Sequence, residues 1–440
     1  MAQTITPTIV TVNTTVTVAP TPSQLQQSGA IVSTGGTTLA TGTYQYCGLL
    51  SQVTSILAAP LALTGMVWSS GTVTATTSAA LTLATGQTFT TTIAGATPAA
   101  YNGTYAATVT GANTFTFSLT PNPGTETVPG TYTPNNVGFV NNSATTFFAQ
   151  GNSVGVYVLE LGPQTTAAAA ITALQTWITA NSAPQIFYSY LVPASWDAAS
   201  STALNTMTSN YSSPDGQTYF FITTTTSNIT AYAGNKAVQA YVPSPTQAST
   251  EHQASTAFYQ WLNNSPGAAS PLAPMAYRFV FGVTPWSQIG TQTSVNTILS
   301  AYGNYIGTGA EGGISNSCIF KGTTMDGEQA SWWYGIDWFR IQVKQALAAA
   351  VINGSNSNPP LEYDQAGINI LQAVAQGVAN NAVTFSCALS AVVNAIPFYT
   401  YTQQNPTNYN AGIYNGFSAN VVGQNGFLTL RFELDAIQFA

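Results

Sequence analysis

The chain has 440 residues, of which 4% are charged and 45% are hydrophobic. Ordinary soluble proteins carry roughly a quarter charged residues, so the polar surface here is built from Thr, Ser, Asn and Gln, and the apolar content excludes the disordered class. A net charge of −7 with six basic residues excludes a nucleic-acid groove, which needs clustered Lys and Arg.

The length allows two or three domains and a sizeable core. A surface with little like-charge repulsion lets copies pack closely, which favours a self-assembling protein over a free enzyme. Cys47, Cys318 and Cys387 are odd in number and lack metal or redox spacing, so they read as buried thiols of a reducing compartment. The first residues show no basic region or apolar run, and no stretch approaches 18 apolar residues. Neither a signal peptide nor membrane insertion is expected, and synthesis in a cytoplasm is. The expected fold class is α/β: a mostly parallel sheet core with flanking helices, a small inserted all-β domain and terminal β-strand arms.

Residues 1–24 form the first arm. Val10, Val12, Val16 and Val18 alternate with Thr11, Thr15 and Thr17, and Ala19-Pro20-Thr21-Pro22 ends the run. Such a strand either closes a local sheet or pairs with another molecule. Residues 25–68 open the α/β domain, with strand, turn and strand from Leu25 to Val53 around Gly29, Gly35-Gly36 and Gly42. Residues 69–134 read as an inserted β-sandwich-like domain, Thr-rich and uncharged except for Glu126. Its clearest sign is a hairpin in which Gly111-Ala112-Asn113 joins Thr108–Thr110 to the alternating Phe115, Phe117 and Leu119.

Residues 135–290 return to the α/β domain. Strands are expected at Val154–Leu161, Gln185–Val192, Thr218–Thr224, Ala237–Val242 and Tyr277–Val283. Helices are expected at Thr165–Asn181, Trp196–Tyr211 and Thr246–Asn263, and this alternation argues for a parallel sheet covered on both faces. Residues 291–425 form a C-terminal α/β domain, entered by a helix over Ser287–Ile306. Within it, Lys321–Asp364 carries eight of the chain's nineteen charged residues. Ile336, Phe339, Val343, Leu347 and Val351 recur at helical spacing, with Asp337, Arg340 and Lys344 on a second stripe. A further helix starts near Asp364, its N-cap. Residues 426–440 form the last arm, where Leu428, Leu430, Phe432 and Leu434 alternate with polar residues before Ile437 and Phe439 shift to the other side.

No catalytic, cofactor or metal site emerges. The one histidine, His252, sits mid-helix without a nucleophile elbow. Asp326 with Glu328, and Glu362 with Asp364, are carboxylate pairs near Trp332, Trp333 and Trp338, but they lack calcium-loop spacing and nothing fixes a glycosidase separation.

Three stretches carry a family resemblance. Gly322-Thr323-Thr324-Met325-Asp326-Gly327-Glu328, then Gly335-Ile336-Asp337-Trp338-Phe339, then Tyr363-Asp364-Gln365-Ala366-Gly367-Ile368 follow one another. This resembles the C-terminal half of the tail sheath proteins of contractile-tailed bacteriophages, where a G-T-x-x-D-G segment, a Trp-bearing long helix and a D-x-x-G-I helix stand in this order. The closing Gly426–Phe432 strand is similar, and Phe147–Gly151 more loosely so. The stretch Ile93–Tyr105 resembles β modules of phage structural proteins and departs from a minimal sheath.

The resemblance implies a helical polymer whose terminal arms join a neighbour's sheet, with no cofactor and no turnover. Its partners would be further copies (a homo-oligomer), the tail tube protein, and the baseplate and tail terminator proteins. Its place would be the virion tail, after synthesis in the host bacterial cytoplasm. It further implies a largely electrostatic tube contact on a C-terminal helix, for which Asp337, Arg340 and Lys344 are the candidates by position, beside Asp326 and Glu328. The inter-subunit strand candidates are Val10, Val12, Val16, Val18, Leu428, Leu430, Phe432 and Leu434. The alternatives are an exported surface-layer or adhesin protein with a sugar-binding β module, which a signal peptide would accompany, and a capsid or tail-tube protein, which the long α/β middle disfavours.

Overall fold

A computed structural model describes residues 22–428 apart from 82, 84, 165, 288 and 310–312. Val10, Val12, Val16 and Val18 of the first arm, and Leu430, Phe432 and Leu434 of the last, lie outside the described residues.

A 3-10 turn, Pro22–Gln27, leads into β1 (Gly29–Ser33), β2 (Tyr44–Cys47) and α1 (Leu50–Ser55). Six strands follow: β3 (Leu61–Ser69), β4 (Thr72–Thr77), β5 (Thr88–Ala94), β6 (Gly103–Gly111), β7 (Thr114–Ser118) and β8 (Thr131–Tyr132). Next come α2 (Asn135–Phe148), β9 (Val156–Glu160), α3 (Ala167–Ala180), β10 (Ser189–Leu191), α4 (Ala194–Ser209), β11 (Tyr219–Thr223), β12 (Val238–Tyr241) and α5 (Gln253–Leu262). The last part holds α6 (Gln292–Ser300), β13 (Tyr305–Thr308), β14 (Ser317–Phe320), α7 (Ala330–Ser355), α8 (Gln365–Thr384), β15 (Ala388–Ala395), α9 (Phe398–Gln404), α10 (Pro406–Asn410) and β16 (Phe417–Gly423).

The central sheet has the order β12-β11-β10-β1-β9-β2. Its pairs are parallel except at the β2 edge, which runs antiparallel to β9. Its strands are apolar on both sides, as a sheet covered twice requires. Ala30, Val32, Leu159, Phe220 and Ile222 point to a layer made with Leu174 and Trp177 of α3 and Leu204 and Met207 of α4. Ile31, Val158, Tyr188, Tyr219 and Phe221 point the other way, onto α2, α5 and α7. Phe221 is fully buried there, and burial of such a side chain contributes about 2–3 kcal/mol.

That second layer runs from Leu25 to Val393 without a break, so residues 135–290 and 291–425 share one apolar core. Helix α2 was not expected. Its Asn-, Ser- and Thr-rich sequence has poor helix propensity, yet Val137, Val140, Ala144 and Phe147 recur at helical spacing and are buried.

The insertion is a closed antiparallel barrel, β3-β4-β7-β6-β5-β8, not a sandwich, and it begins at Leu61, eight residues before the expected boundary. Closure abolishes the sheet edges that a sandwich leaves. A register shift between Leu63 and Gly65 breaks the alternation of β3, which hid this strand. Phe89, Ile93, Phe115, Phe117 and Tyr132 fill the interior. The chain enters at Leu61 and leaves at Tyr132, which are paired neighbours.

Two further expectations are corrected. Tyr277–Val283 is not a strand of the parallel sheet, since Tyr277 adopts φ 60 and the segment lies irregularly against β14 through a single bridge, Phe279 to Cys318. The helix expected over Ser287–Ile306 ends at Ser300, and Tyr302 at φ 60 turns the chain into β13.

Candidate interaction site: a buried charge network and an open strand pair

The motifs that carried the resemblance build the start and the supports of α7. Met325 is fully buried, and its N–H donates to Val238 O of the sheet edge at 2.9 Å. Asn304 clamps Thr323 from both sides, donating to its O at 2.8 Å and accepting from its N–H at 2.9 Å. Asp326 Oδ1 accepts from Thr324 Oγ1 at 2.6 Å and from Glu328 N–H at 3.1 Å, which closes the turn. Its Oδ2 accepts from the Trp333 indole at 3.0 Å, which ties the turn to the helix that follows.

Helix α7 has 26 residues and spans about 39 Å. Its first three turns are buried. Gly335 is required there, because a Cβ would collide with Cys387 O where the helix crosses the α8–β15 connection. Asp337 is 0% exposed and accepts from Tyr188 Oη at 2.9 Å and Tyr219 Oη at 2.8 Å. Burial raises its pKa, opposed by Lys236, by the two hydroxyls and by Arg340. Lys236 is itself buried, its Nζ 4.1 Å from the Trp333 ring and bonded to the carbonyls of Ser213, Pro214 and Gly216. Desolvation lowers its pKa, while Asp337 opposes that shift.

The expected stripe therefore divides. Asp337 is interior and is withdrawn as a surface contact. Arg340 is half-exposed but engaged: it donates to Pro214 O at 2.7 Å and to Asp337 at 3.4 Å, and it lies 3.5 Å from Asp215. Lys344 alone is exposed. Trp333 and Trp338 are likewise built into packing, Trp338 at 8% exposure. Sequence reasoning took the scarcity of charge here as a sign of surface function. Of the eight charged residues there only Asp337 is buried, and the tyrosines that meet it, Tyr219 in β11 and Tyr188 just before β10, stand more than a hundred residues away.

The D-x-x-G-I motif caps α8. Asp364 accepts from Gly367 N–H at 2.7 Å, and Gly367 admits no Cβ because Glu362 O lies against it. Helix α8 packs on α7 and on β15, whose antiparallel partner is β16, burying Ala375, Ala379, Ala391 and Val393. The opposite face, with Val392 and Val422 among Ser390, Asn394, Ser418 and Asn420, is exposed. Half of the exposed large apolar side chains of the described residues fall between Val351 and Phe427. From Gln345 to Asn425 the sequence carries only Glu362 and Asp364 as charges. The hairpin was not foreseen, since Ala388–Ala395 alternates weakly and a 21-residue connection parts it from β16.

Beyond β16 the chain is held at Gly426, whose N–H and O both bond Gln329 at 2.8 Å, and Tyr277 Oη donates to Leu428 O. His252 lies at the N-cap of α5 instead of mid-helix, edge-on to Phe139 at 5.4 Å, and burial lowers its pKa to about 4. Among the described residues no three His, Cys, Asp or Glu side chains gather as a metal site would need, and no helix is long and apolar enough to cross a membrane.

The fold and these surfaces define an α/β protein with an inserted barrel and an uncharged, strand-edged C-terminal face. No family model matches the sequence, and no curated protein is similar to it. Among solved structures, the chain is similar to one in the contracted-state baseplate of the anti-feeding prophage, at 12% identity and a TM-score of 0.49, covering 98% of this chain and 99% of that one. It is also similar to a sheath tail protein of Listeria innocua, at 8% identity and a TM-score of 0.45, covering 90% of this chain and 94% of that one. A sheath tail protein of Desulfitobacterium hafniense gives 10% identity and a TM-score of 0.39, covering 88% of this chain and 93% of that one. Identities this low, with scores below one half, leave the functional reading to rest on the residues themselves.

Proposed function

We propose that this chain is the structural subunit of a contractile phage tail sheath, polymerising helically around a tail tube through strand exchange between neighbours and contracting to drive the tube through the host envelope. Three motifs in family order support the reading, and each has a physical reason to be kept: a clamped turn, a close helix crossing and a capped helix. The observation that carries it is the face around β15–β16, uncharged and edged by strand, on a chain whose two ends alternate apolar with polar residues. A strand pair of this kind takes a further strand through backbone hydrogen bonds, and the absence of like charge lets copies approach.

On this reading the partners are further copies, a tail tube protein, and the baseplate and terminator proteins that end the sheath, with its place in the virion tail. The subunit performs no turnover and holds no cofactor. Lys344, on the exposed part of α7, is the remaining tube-contact candidate.

Negative-stain microscopy of the purified chain tests the proposal. Hollow helical tubes are expected, and removal of Met1–Val18 or Gly426–Ala440 should abolish them while the subunit stays folded. A chain that remains monomeric at high concentration and raised salt would sink it.

A further inference from the structure

Strands β1 and β9 lie side by side and parallel, and their connections leave by opposite faces of the sheet. Helix α2, which precedes β9, packs on the layer of Ile31 and Val158. Helix α3, which follows β9, packs on the layer of Val32 and Leu159. At the carboxyl ends of such a strand pair the sheet opens a crevice, the place where open α/β sheets receive ligands.

Donors line this crevice. Gly35 N–H, in the loop Ser33-Thr34-Gly35-Gly36-Thr37 after β1, and Gly162 N–H, just beyond β9, converge on one oxygen of the Glu160 carboxylate at 2.5 and 2.7 Å. The other oxygen accepts from Ser33 Oγ at 2.7 Å, Thr37 Oγ1 at 2.8 Å and Thr37 N–H at 3.1 Å. Both hydroxyls are held as donors, because Gly36 N–H and Leu39 N–H bond their oxygens at 2.9 and 3.3 Å. Five donors facing one point select an oxyanion. Glu160 is 1% exposed, and the ion pairs of the described residues, both on Arg340, leave it out.

The same loop carries both stems of the barrel. Gly36 O accepts from Ala58 N–H at 2.9 Å, just before the barrel begins at Leu61. Thr34 O accepts from the side chain of Asn136, just after the barrel ends at Tyr132. Thr37 also bridges Leu57.

We infer that this loop and Gly162 form an oxyanion cradle with the Glu160 carboxylate as its built-in occupant, and that a free carboxylate of acetate size enters the cradle when Glu160 is shortened. Occupancy fixes the barrel on the sheet. Buried donors without an acceptor are costly, so an emptied loop lets go of both stems. The fragment that Glu160→Ala removes, one methylene and one carboxylate, has the heavy atoms of an acetate ion.

Chemical rescue of the full chain is the test. Glu160→Ala and the parent chain are melted in sodium acetate and in sodium chloride of equal concentration. Acetate should raise the melting temperature of the variant saturably, by about 2 °C beyond its effect on the parent. Propionate, one methylene too long, should do less. Glu160→Gln keeps the cradle filled but turns an amide NH2 on its donors, so it should be destabilised and gain nothing from acetate. Proteolysis within residues 57–60 and 133–136 should be about tenfold faster in Glu160→Ala than in the parent, and acetate should slow it. If Glu160→Ala does not fold in chloride, it should be recovered from urea in acetate alone. An equal response of variant and parent to acetate, no recovery in acetate, or a Glu160→Gln chain as stable as the parent overturns the cradle. Rescue by acetate of a variant whose stems are cut no faster than the parent's overturns the hold on the barrel.

Discussion

The hydroxyl of Tyr219, in the central sheet, donates to the carboxylate of Asp337, on α7, at 2.8 Å with both groups fully buried. This bond and its twin from Tyr188 fix the long helix to the sheet at one point, with Lys236 and Arg340 balancing the charge. Removing one member of such a buried network leaves the others uncompensated, at a cost of about 3–5 kcal/mol. Asp337→Ala should therefore lose that much stability in urea unfolding, whereas Asp337→Asn, which still accepts a hydrogen bond, should lose less. An Ala variant that unfolds with the parent chain would show the network to be idle.

Acid should weaken the fold through His252. Its pKa is lowered from 6.5 to about 4 by burial, so the unfolded chain takes up a proton that the folded chain refuses. A depressed folded pKa means stability present above about 6.5 and lost as pH falls toward about 4. Allowing for partial exposure, the loss is about 2 kcal/mol. The sequence has one histidine, and because the carboxyls of Asp197 and Asp337 are raised by burial as well, a variant is needed to separate its share of the difference between unfolding at pH 7 and pH 5. In His252→Gln most of that difference should vanish. A difference of unchanged size would assign it to other groups.

The barrel should be dispensable. Its entry and exit, Leu61 and Tyr132, are paired, and it has its own core. Its links to the rest include the bonds from Thr90 to Ser249 O at 2.9 Å and from Gln87 to Ala198 O at 3.4 Å. Replacing Leu61–Tyr132 by a short Gly-Ser linker should leave a folded subunit by circular dichroism, with assembly intact. Loss of tubes from a folded deletion variant would place the barrel in the lattice.

Lys344 and Arg340 should behave differently. Lys344→Glu should leave the melting temperature within about a degree, as surface substitutions usually do, yet reduce co-sedimentation with tail tubes. Arg340→Glu places a carboxylate beside Asp337 and should destabilise the subunit before any partner is added. If Lys344→Glu coats tubes like the parent chain, the tube contact lies elsewhere.

The sheet was legible because its strands are continuous apolar runs parted by helical spacing, as in Tyr219–Thr223 and Ala167–Ala180. The cap at Asp364 was legible too, being a local interaction three residues long. What escaped was decided at a distance or by irregularity. Helix α2 exists because its apolar face meets β1 and α5 against its own propensity, β3 is masked by its bulge, and Tyr277 breaks an otherwise alternating run by its backbone angle. In the candidate site, position alone could not tell Asp337, drawn inside by tyrosines remote in sequence, from Lys344 two turns on.

Glu160, Asp197, Lys236 and Asp337 are all at most 3% exposed, so several of the few ionic groups never meet solvent. What water does meet is a coat of hydroxyls and carboxamides. Such a coat is governed by hydration more than by Debye screening, so the identity of an added salt should matter more than its concentration. Sulfate, excluded from protein surfaces, should drive copies together at a lower protein concentration than sodium chloride of equal ionic strength does. Subunits of this kind carry their solubility in water structure, and ordering along the Hofmeister series becomes the variable that sets when they condense.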